Sequence, residues 1–329
     1  MSRQQRIVNV LSVAGTDPTG GAGIQADLKA IAAGGGYGMA VVTALVAQNT
    51  RGVRAVHVPP IPFLTAQLDA VSDDVRIDAV KIGMLANAEV IGAVAAWLRR
   101  VRPPLVVLDP VMIAASGDAL LDPEAVTALR GLIPQAGLIT PNLPELAVLA
   151  GAAGAGAAGP ADTWEAALEQ ARLVASAHGV RVLAKAGHLP GERTPDALVT
   201  PEGDTIEFPG VRIATRNTHG TGCSLSAGIA TRVARHGGDW VRAARETKAW
   251  LRESLAAADT LDVGGGSGPV HHFAGLWARG GLHTAPEAQQ NRAVRGDGGA
   301  GRRDDQPAGA AAEVTVGRLD AGPRRSPSQ

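Results

Sequence analysis

The chain has 329 residues, enough for one large domain or two ordinary ones, and its 31 basic and 31 acidic side chains cancel. With no Lys/Arg stripe interleaved with aromatics, nucleic-acid binding has little support, and a lone cysteine excludes an intramolecular disulfide framework and any Cys-based zinc cluster. No apolar run reaches ~18–20 unbroken residues, so no membrane span is expected, and "MSRQQR" leads into a strand-like run without a signal-peptide apolar region, which points to a cytoplasmic protein.

Apolar residues make up 45% of the chain but aromatics only 3%, so the core is expected to be Ala, Val, Leu and Ile, as for helices packed on a parallel sheet. "IVNVLSVAG" (7–15) reads as a strand, and "GAGIQADLKAIAA" (21–33) as a helix with Ile24, Leu28 and Ile31 on one face. Strands are expected over 37–48 and 52–58, a helix over 61–74, a buried strand over 77–85, a helix over 88–101 and a strand over 104–111. "DPEAVTALRGLI" (122–133) opens with an Asp cap and Pro at the first helical position. A short strand (137–142) and short helix (143–151) follow, then a small-residue loop (152–161), a helix (162–179) and a strand (180–188). The segment 196–213 reads as an edge hairpin turning at Pro201–Gly203, and helices over 222–236 and 239–259 close the fold. Beyond about residue 285 Gly, Pro, Ala and Arg dominate, so 1–285 is expected to fold and 286–329 to be a disordered tail. The alternation predicts a three-layer α/β/α sandwich around a mainly parallel sheet, with ligands beyond the carboxyl ends of its strands.

The chemistry-bearing motifs fall at those ends. "AGTDPTGGAGIQADLK" (14–29) joins the first strand to the first helix, with glycines that let a ligand approach and Asp17 as a carboxylate for a donor-bearing group. It lacks the spacing of a Walker A loop or a dinucleotide fingerprint. Gln48 offers a donor and an acceptor suited to an aminopyrimidine edge, or simply faces water. Met84 can pack on a flat ring or merely fill core. Asp109 ends a strand, where a carboxylate near Mg²⁺ or phosphate is usual. Asn142 and Glu145 form a candidate water-mediated Mg²⁺–nucleotide pair or simply cap the short helix, and Lys185 ends a strand within reach of a phosphate. "NTHGTGCSLSAG" (217–228) opens a helix whose free N–H groups form an anion cradle. Its Cys223 is a buried inert residue or, with its pKa lowered by the helix start, a proton acceptor. His219 and Cys223 alone make no credible zinc site.

Together "AGTDPTGGAGIQADLK", "TALVAQNTRGV", "KIGML", "LDPVM…SGD", "TPNLPE", "NTHGTGCSLSAG" and "GPVHHF" resemble the hydroxymethylpyrimidine/phosphomethylpyrimidine kinases of thiamine biosynthesis, members of the ribokinase-like superfamily, over residues 7–277. The resemblance implies a ribokinase-like fold and transfer of the ATP γ-phosphate to 4-amino-5-hydroxymethyl-2-methylpyrimidine and then to its monophosphate. It implies that Gln48 and Met84, with Gly15 and Asp17, serve the acceptor, and that Gly220 and Gly222 form the anion hole with Cys223 as base. It associates Asp109, Asn142, Glu145, Thr221, His219 and Lys185 with Mg²⁺–ATP and phosphate, Mg²⁺ being held through Asp109 and Glu145. It also implies a homodimer. Relatives often read Lys-Gly-Gly where this chain has Lys185-Ala186-Gly187; a positive φ at 186 would cost roughly 1–2 kcal/mol with alanine. A pyridoxal kinase of the same superfamily and a non-catalytic vitamer-binding protein are the alternatives.

Overall fold

The computed structural model describes residues 6–112, 121–155 and 159–282. The tail expected at 286–329, and the "SGD" at 116–118 that contributes to the resemblance, lie outside them. In chain order the elements are β1 (Asn9–Ala14), α1 (Gly23–Ala33), β2 (Tyr37–Val42), β3 (Leu45–Asn49), β4 (Gly52–His57), α2 (Ile61–Ser72), β5 (Ala79–Ile82), α3 (Ala88–Val101), β6 (Val106–Leu108) and α4 (Pro123–Leu132). They continue with β7 (Leu138–Ile139), α5 (Leu143–Ala150), α6 (Trp164–His178), β8 (Arg181–Lys185), β9 (Asp196–Val199), β10 (Thr205–Phe208), α7 (Thr221–Arg235), α8 (Trp240–Ala256) and α9 (Ala274–Arg279).

Among the described residues one sheet runs β10-β9-β8-β7-β6-β5-β1-β2. It is parallel from β8 to β2, while β9 and β10 are antiparallel at one edge. Side chains alternate across it. Leu11 and Val13 of β1 face a core shared with α2 to α6, whereas Val10 faces one shared with α1, α7 and α8. That is the expected three-layer sandwich. Asp122 accepts from Ala125 N at 2.7 Å with Pro123 next, as expected, and Asn87 and Thr163 likewise cap α3 and α6.

Three expectations are corrected. The strand expected over 37–48 breaks at Thr43–Ala44, because Thr43 N bonds Ala14 O, its hydroxyl bonds Met84 O at 2.6 Å, and Ala44 O receives Thr16 N. The chain thereby leaves the sheet, and β3 pairs with β4 as a separate antiparallel ribbon. The expected loop at 152–161 begins as a helical turn from Gly151 that continues α5 and breaks at Gly154, with φ +113. The short α9 is an element that chain periodicity alone did not reveal.

Candidate active site

β1 sits where the chain reverses direction across the sheet, with β2 on one side and β5 on the other. Such a switch point opens a crevice at the strands' carboxyl ends. Gly15 lies there, and a Cβ on it would meet the Met84 methyl at 2.7 Å and Val46 at 3.7 Å, so the absent side chain lets Met84 and β3 close over the end of β1. Gln48 is on that ribbon, and its amide reaches the Asp17 carboxylate.

Asp17 departs from its expected role. It is fully buried, one oxygen accepting from Thr19 N and Thr19 Oγ1, the other from Gly21 N, Ala22 N and His219 Nε2 at 2.8 Å. Burial opposes the charge, but bonds from His219, Gln48, Thr19 and Ala22 outweigh it and hold the carboxyl well below the usual range. With its acceptor capacity filled, Asp17 staples two loops instead of holding a ligand. His219 is its clamp, with Nε2 on Asp17.

The stapled loops meet at Gly220, which has φ +79, and a Cβ there would lie 1.7 Å from Gly21 O. Only glycine fits both the backbone angle and the approach. Next come Thr221, Gly222 and Cys223, whose N–H groups precede the first full helical bond of α7, from Ser224 N to Gly220 O at 2.9 Å. A Cβ on Gly222 would stand 3.4 Å from Asp109 Oδ2, so the turn lies against the end of β6. Asp109 is 4% exposed and accepts from Thr140 Oγ1 at 2.8 Å, and the Thr140 carbonyl receives Lys185 Nζ at 2.6 Å. A chain of contacts therefore links Lys185, Thr140, Asp109 and the glycine turn.

Asn142 and Glu145 do cap α5: Asn142 Oδ1 accepts from Glu145 N and Glu145 Oε2 from Asn142 N, both at 2.9 Å. Glu145 Oε1 also takes Met112 N at 3.3 Å. Burial, with Asp109 nearby, pushes the Glu145 carboxyl up to about 7 against the pull of Lys185. Ala186 lies in a short 3-10 turn, and the described residues with positive φ other than glycine are Ala86 and Arg102. The departure from Lys-Gly-Gly thus carries no backbone cost.

Cys223 overturns the electrostatic expectation. Desolvation pushes its thiol up to about 11, and Lys81 and an N–H from Gly23 at the head of α1 pull the other way without prevailing. Asp27 and Asp109 add their negative charge to the rise, so the helix start does not prevail. Beneath it lies a pair the sequence motifs did not reveal: Lys81 Nζ bonds Asp27 Oδ2 at 2.8 Å, and Ser12 Oγ bonds the same oxygen at 2.6 Å, all three residues having no exposure. A cavity of about 740 Å³ is lined by Thr215, Asn217, Asp259, Leu261 and Gly264, of which only Asn217 belongs to the motifs above. The sequence signal for it is the "VGGGSG" run (263–268), glycines where backbones pack closely: Gly266 N bonds Thr50 Oγ1 and Gly268 N bonds Asn217 Oδ1.

A family profile for phosphomethylpyrimidine kinase matches residues 17–271. The hydroxymethylpyrimidine/phosphomethylpyrimidine kinase of Escherichia coli is 53% identical over 271 residues, 82% of this chain and 99% of that one. The thiamine biosynthesis multifunctional protein ThiED of Corynebacterium efficiens is 54% identical over 266 residues, 80% of this chain but 35% of the relative, so the chain spans about a third of that protein's length. Among solved structures, an ADP complex of Bacillus subtilis pyridoxal kinase superposes with a TM-score of 0.73 at 30% identity, covering 82% of this chain and 99% of that one. The profile spans most of the chain and the Escherichia coli relative is more than half identical along its whole length: the chain belongs to the phosphomethylpyrimidine kinase family.

Proposed function

We propose that the chain transfers the γ-phosphate of ATP to 4-amino-5-hydroxymethyl-2-methylpyrimidine and then to the resulting monophosphate. The observation that carries this reading is the first turn of α7, where the Thr221, Gly222 and Cys223 N–H groups precede the first full helical bond and Thr221 N makes only a long 3.3 Å bond to Thr218 O, between the Gly15–Met84–Gln48 crevice and the Asp109–Lys185 edge. The crevice takes the flat ring, with Gln48 on its polar edge. The cavity beside Asn217 and Gly264 takes the nucleotide base. The turn and the Lys185 ammonium stabilise charge on the phosphoryl oxygens, which spread in a loose transition state.

The residues also fit a divalent cation. Asp109 and Glu145 are oxygen donors whose mutual repulsion helps push Glu145 up. No cluster of three or more His, Cys, Asp or Glu side chains suited to a metal occurs among the described residues. Asp109 and Glu145 would share Mg²⁺ with the nucleotide, where it would neutralise phosphate charge. Among the described residues no helix is long and apolar enough to cross a membrane. The exposed Leu45, Val53 and Val56 of the β3–β4 ribbon support a homodimer, which sedimentation equilibrium tests directly.

The two transfers differ in their need for a base. In the first, a neutral hydroxymethyl must lose its proton; in the second the phosphate nucleophile, with a second pKa of ~6, is already anionic. A Cys223 thiol displaced to about 11 is almost wholly protonated at neutral pH. If the thiolate takes the proton, kcat for the first transfer should climb about tenfold per pH unit between ~7 and ~9 while the second stays level. Cys223→Ala should slow the first and flatten its profile. Equal losses in both transfers would leave the thiol a packing role only. Lys185→Ala should depress both, since its charge serves the phosphate in each.

ADP formation measured with the aminopyrimidine, its monophosphate and pyridoxal tests the whole reading. Pyridoxal is included because of the vitamin-kinase superposition. A higher kcat/KM for pyridoxal than for the aminopyrimidine would reassign the acceptor, and no ADP with any of them would leave a binding protein.

A further inference from the structure

The segment "GPVHHF" (268–273) has no role in the chemistry above, yet its second histidine reaches the back of the glycine turn. Gly220 O accepts two bonds from one residue, Ser224 N at 2.9 Å and Ser224 Oγ at 2.8 Å. On its other side the Ser224 hydroxyl meets His272 Nε2 at 2.8 Å. Ser224 has no exposure and His272 4%, so water is poorly placed to replace either partner. Trp250 fixes the histidine, donating its indole N–H to His272 O at 3.2 Å with its ring 6.1 Å from the imidazole. Burial, with Lys29 and His271 adding to it and a bond to the Val270 backbone opposing it, pushes the imidazole down to about 4, so it is neutral at working pH.

A peptide group is planar, and its C=O and N–H point in opposite directions. Gly220 C=O and Thr221 N–H belong to the same peptide. Tethering the carbonyl inward toward Ser224 therefore aims the Thr221 N–H outward, where its bond within the chain is a long 3.3 Å to Thr218 O. A hydroxyl can accept one bond while donating another. The Ser224 hydroxyl is thus held between His272 Nε2 and Gly220 O, a buried pair of contacts that ends on the peptide of the turn.

We propose that His272 is a positioning residue for phosphoryl transfer, acting through Ser224 to hold the Gly220–Thr221 peptide so that the Thr221 N–H faces the transferred phosphoryl group. This rests on reading the turn as the anion hole. A role confined to packing would appear in stability or acceptor affinity; a positioning role appears in kcat.

The test uses Ser224→Ala, His272→Met, His272→Gln and Gly220→Ala in the full chain, with kcat for both transfers, acceptor Kd by calorimetry, and thermal unfolding. Ser224→Ala and His272→Met should each lower kcat by about ten- to a hundredfold, alike for the two acceptors, with Kd within about twofold of the parent. The amide nitrogen of His272→Gln can take the place of Nε2, so this variant should recover most of the His272→Met loss. Ser224→Ala, the smaller change, decides the same question if His272→Met does not fold. A kcat within about twofold of the parent in Ser224→Ala or His272→Met, no recovery in His272→Gln, or a loss confined to Kd overturns the proposal. If Gly220→Ala loses activity while these variants keep it, the anion-hole reading stands without His272; if Gly220→Ala also keeps it, the anion-hole reading falls.

Discussion

Replacing Lys81 with methionine is expected to destabilise the protein by about 3–5 kcal/mol, the range for removing one partner of a buried ion pair. Lys81 and Asp27 have no exposure, and Asp27 Oδ1 has no hydrogen-bond partner even with the lysine present. Burial works against the Lys81 ammonium, yet Asp27, Cys223 and Asp109 outweigh it and raise its pKa, so the site expects a cation. Methionine matches the chain's length but leaves the carboxylate with Ser12 alone. Burial already raises the Asp27 pKa against the pull of Lys81, and losing the cation raises it further. For a raised carboxyl the folded state holds the proton more tightly than the unfolded one. The associated stability is complete below the unfolded pKa and is lost as pH rises through the folded value. Lys81→Met should therefore lose stability more steeply than the parent as pH rises above the ordinary carboxylate range, in urea unfolding. Adding Asp27→Asn should restore much of the loss and flatten that dependence. A single variant as stable as the parent at every pH would show that the pair is energetically idle.

The same pair shows where sequence reading stopped. Strand and helix order followed from apolar periodicity, and the caps at Asp122 and Asn142 from residue type, because those signals are local. α1 was legible as a helix, but Ile24, Leu28 and Ile31 suggested a purely apolar face, whereas the buried face includes Asp27. Whether a carboxylate points inward depends on a partner 54 residues away, which no window along the chain contains. The Cys223 pKa failed for a related reason. The helix start is visible in sequence, but the desolvation that outweighs it comes from α1 and β5 packing over α7. Asp17 looked like a ligand hand because a loop carboxylate usually has oxygens to spare, while here His219, 202 residues on, completes its saturation. The glycine turn was legible because both its steric demand and its N–H groups are written in consecutive residues.

That turn carries the other large expectation. Gly220→Ala should lower kcat at least about a hundredfold with both acceptors, on the scale of losing an oxyanion-hole donor. Two costs combine. A side chain at φ +79 costs roughly 1–2 kcal/mol, and its Cβ would stand 1.7 Å from Gly21 O, well inside contact distance. The loop stapled by Asp17 and His219 cannot retreat without breaking a bond at 2.8 Å, so Gly220 must move and carry the Thr221 and Gly222 N–H groups with it. Gly222→Ala is the internal control. Its φ is not positive, and its Cβ would reach Asp109 Oδ2 at 3.4 Å, the edge of ordinary contact. Its loss should be smaller by about tenfold or more, measured as ADP release under saturating acceptor. Because the turn receives transferred charge in both half-reactions, Gly220→Ala should hit the monophosphate acceptor as hard as the hydroxymethyl one, unlike Cys223→Ala. A Gly220→Ala enzyme that kept its turnover on the monophosphate while losing it on the alcohol would show that the turn serves deprotonation and not phosphoryl charge.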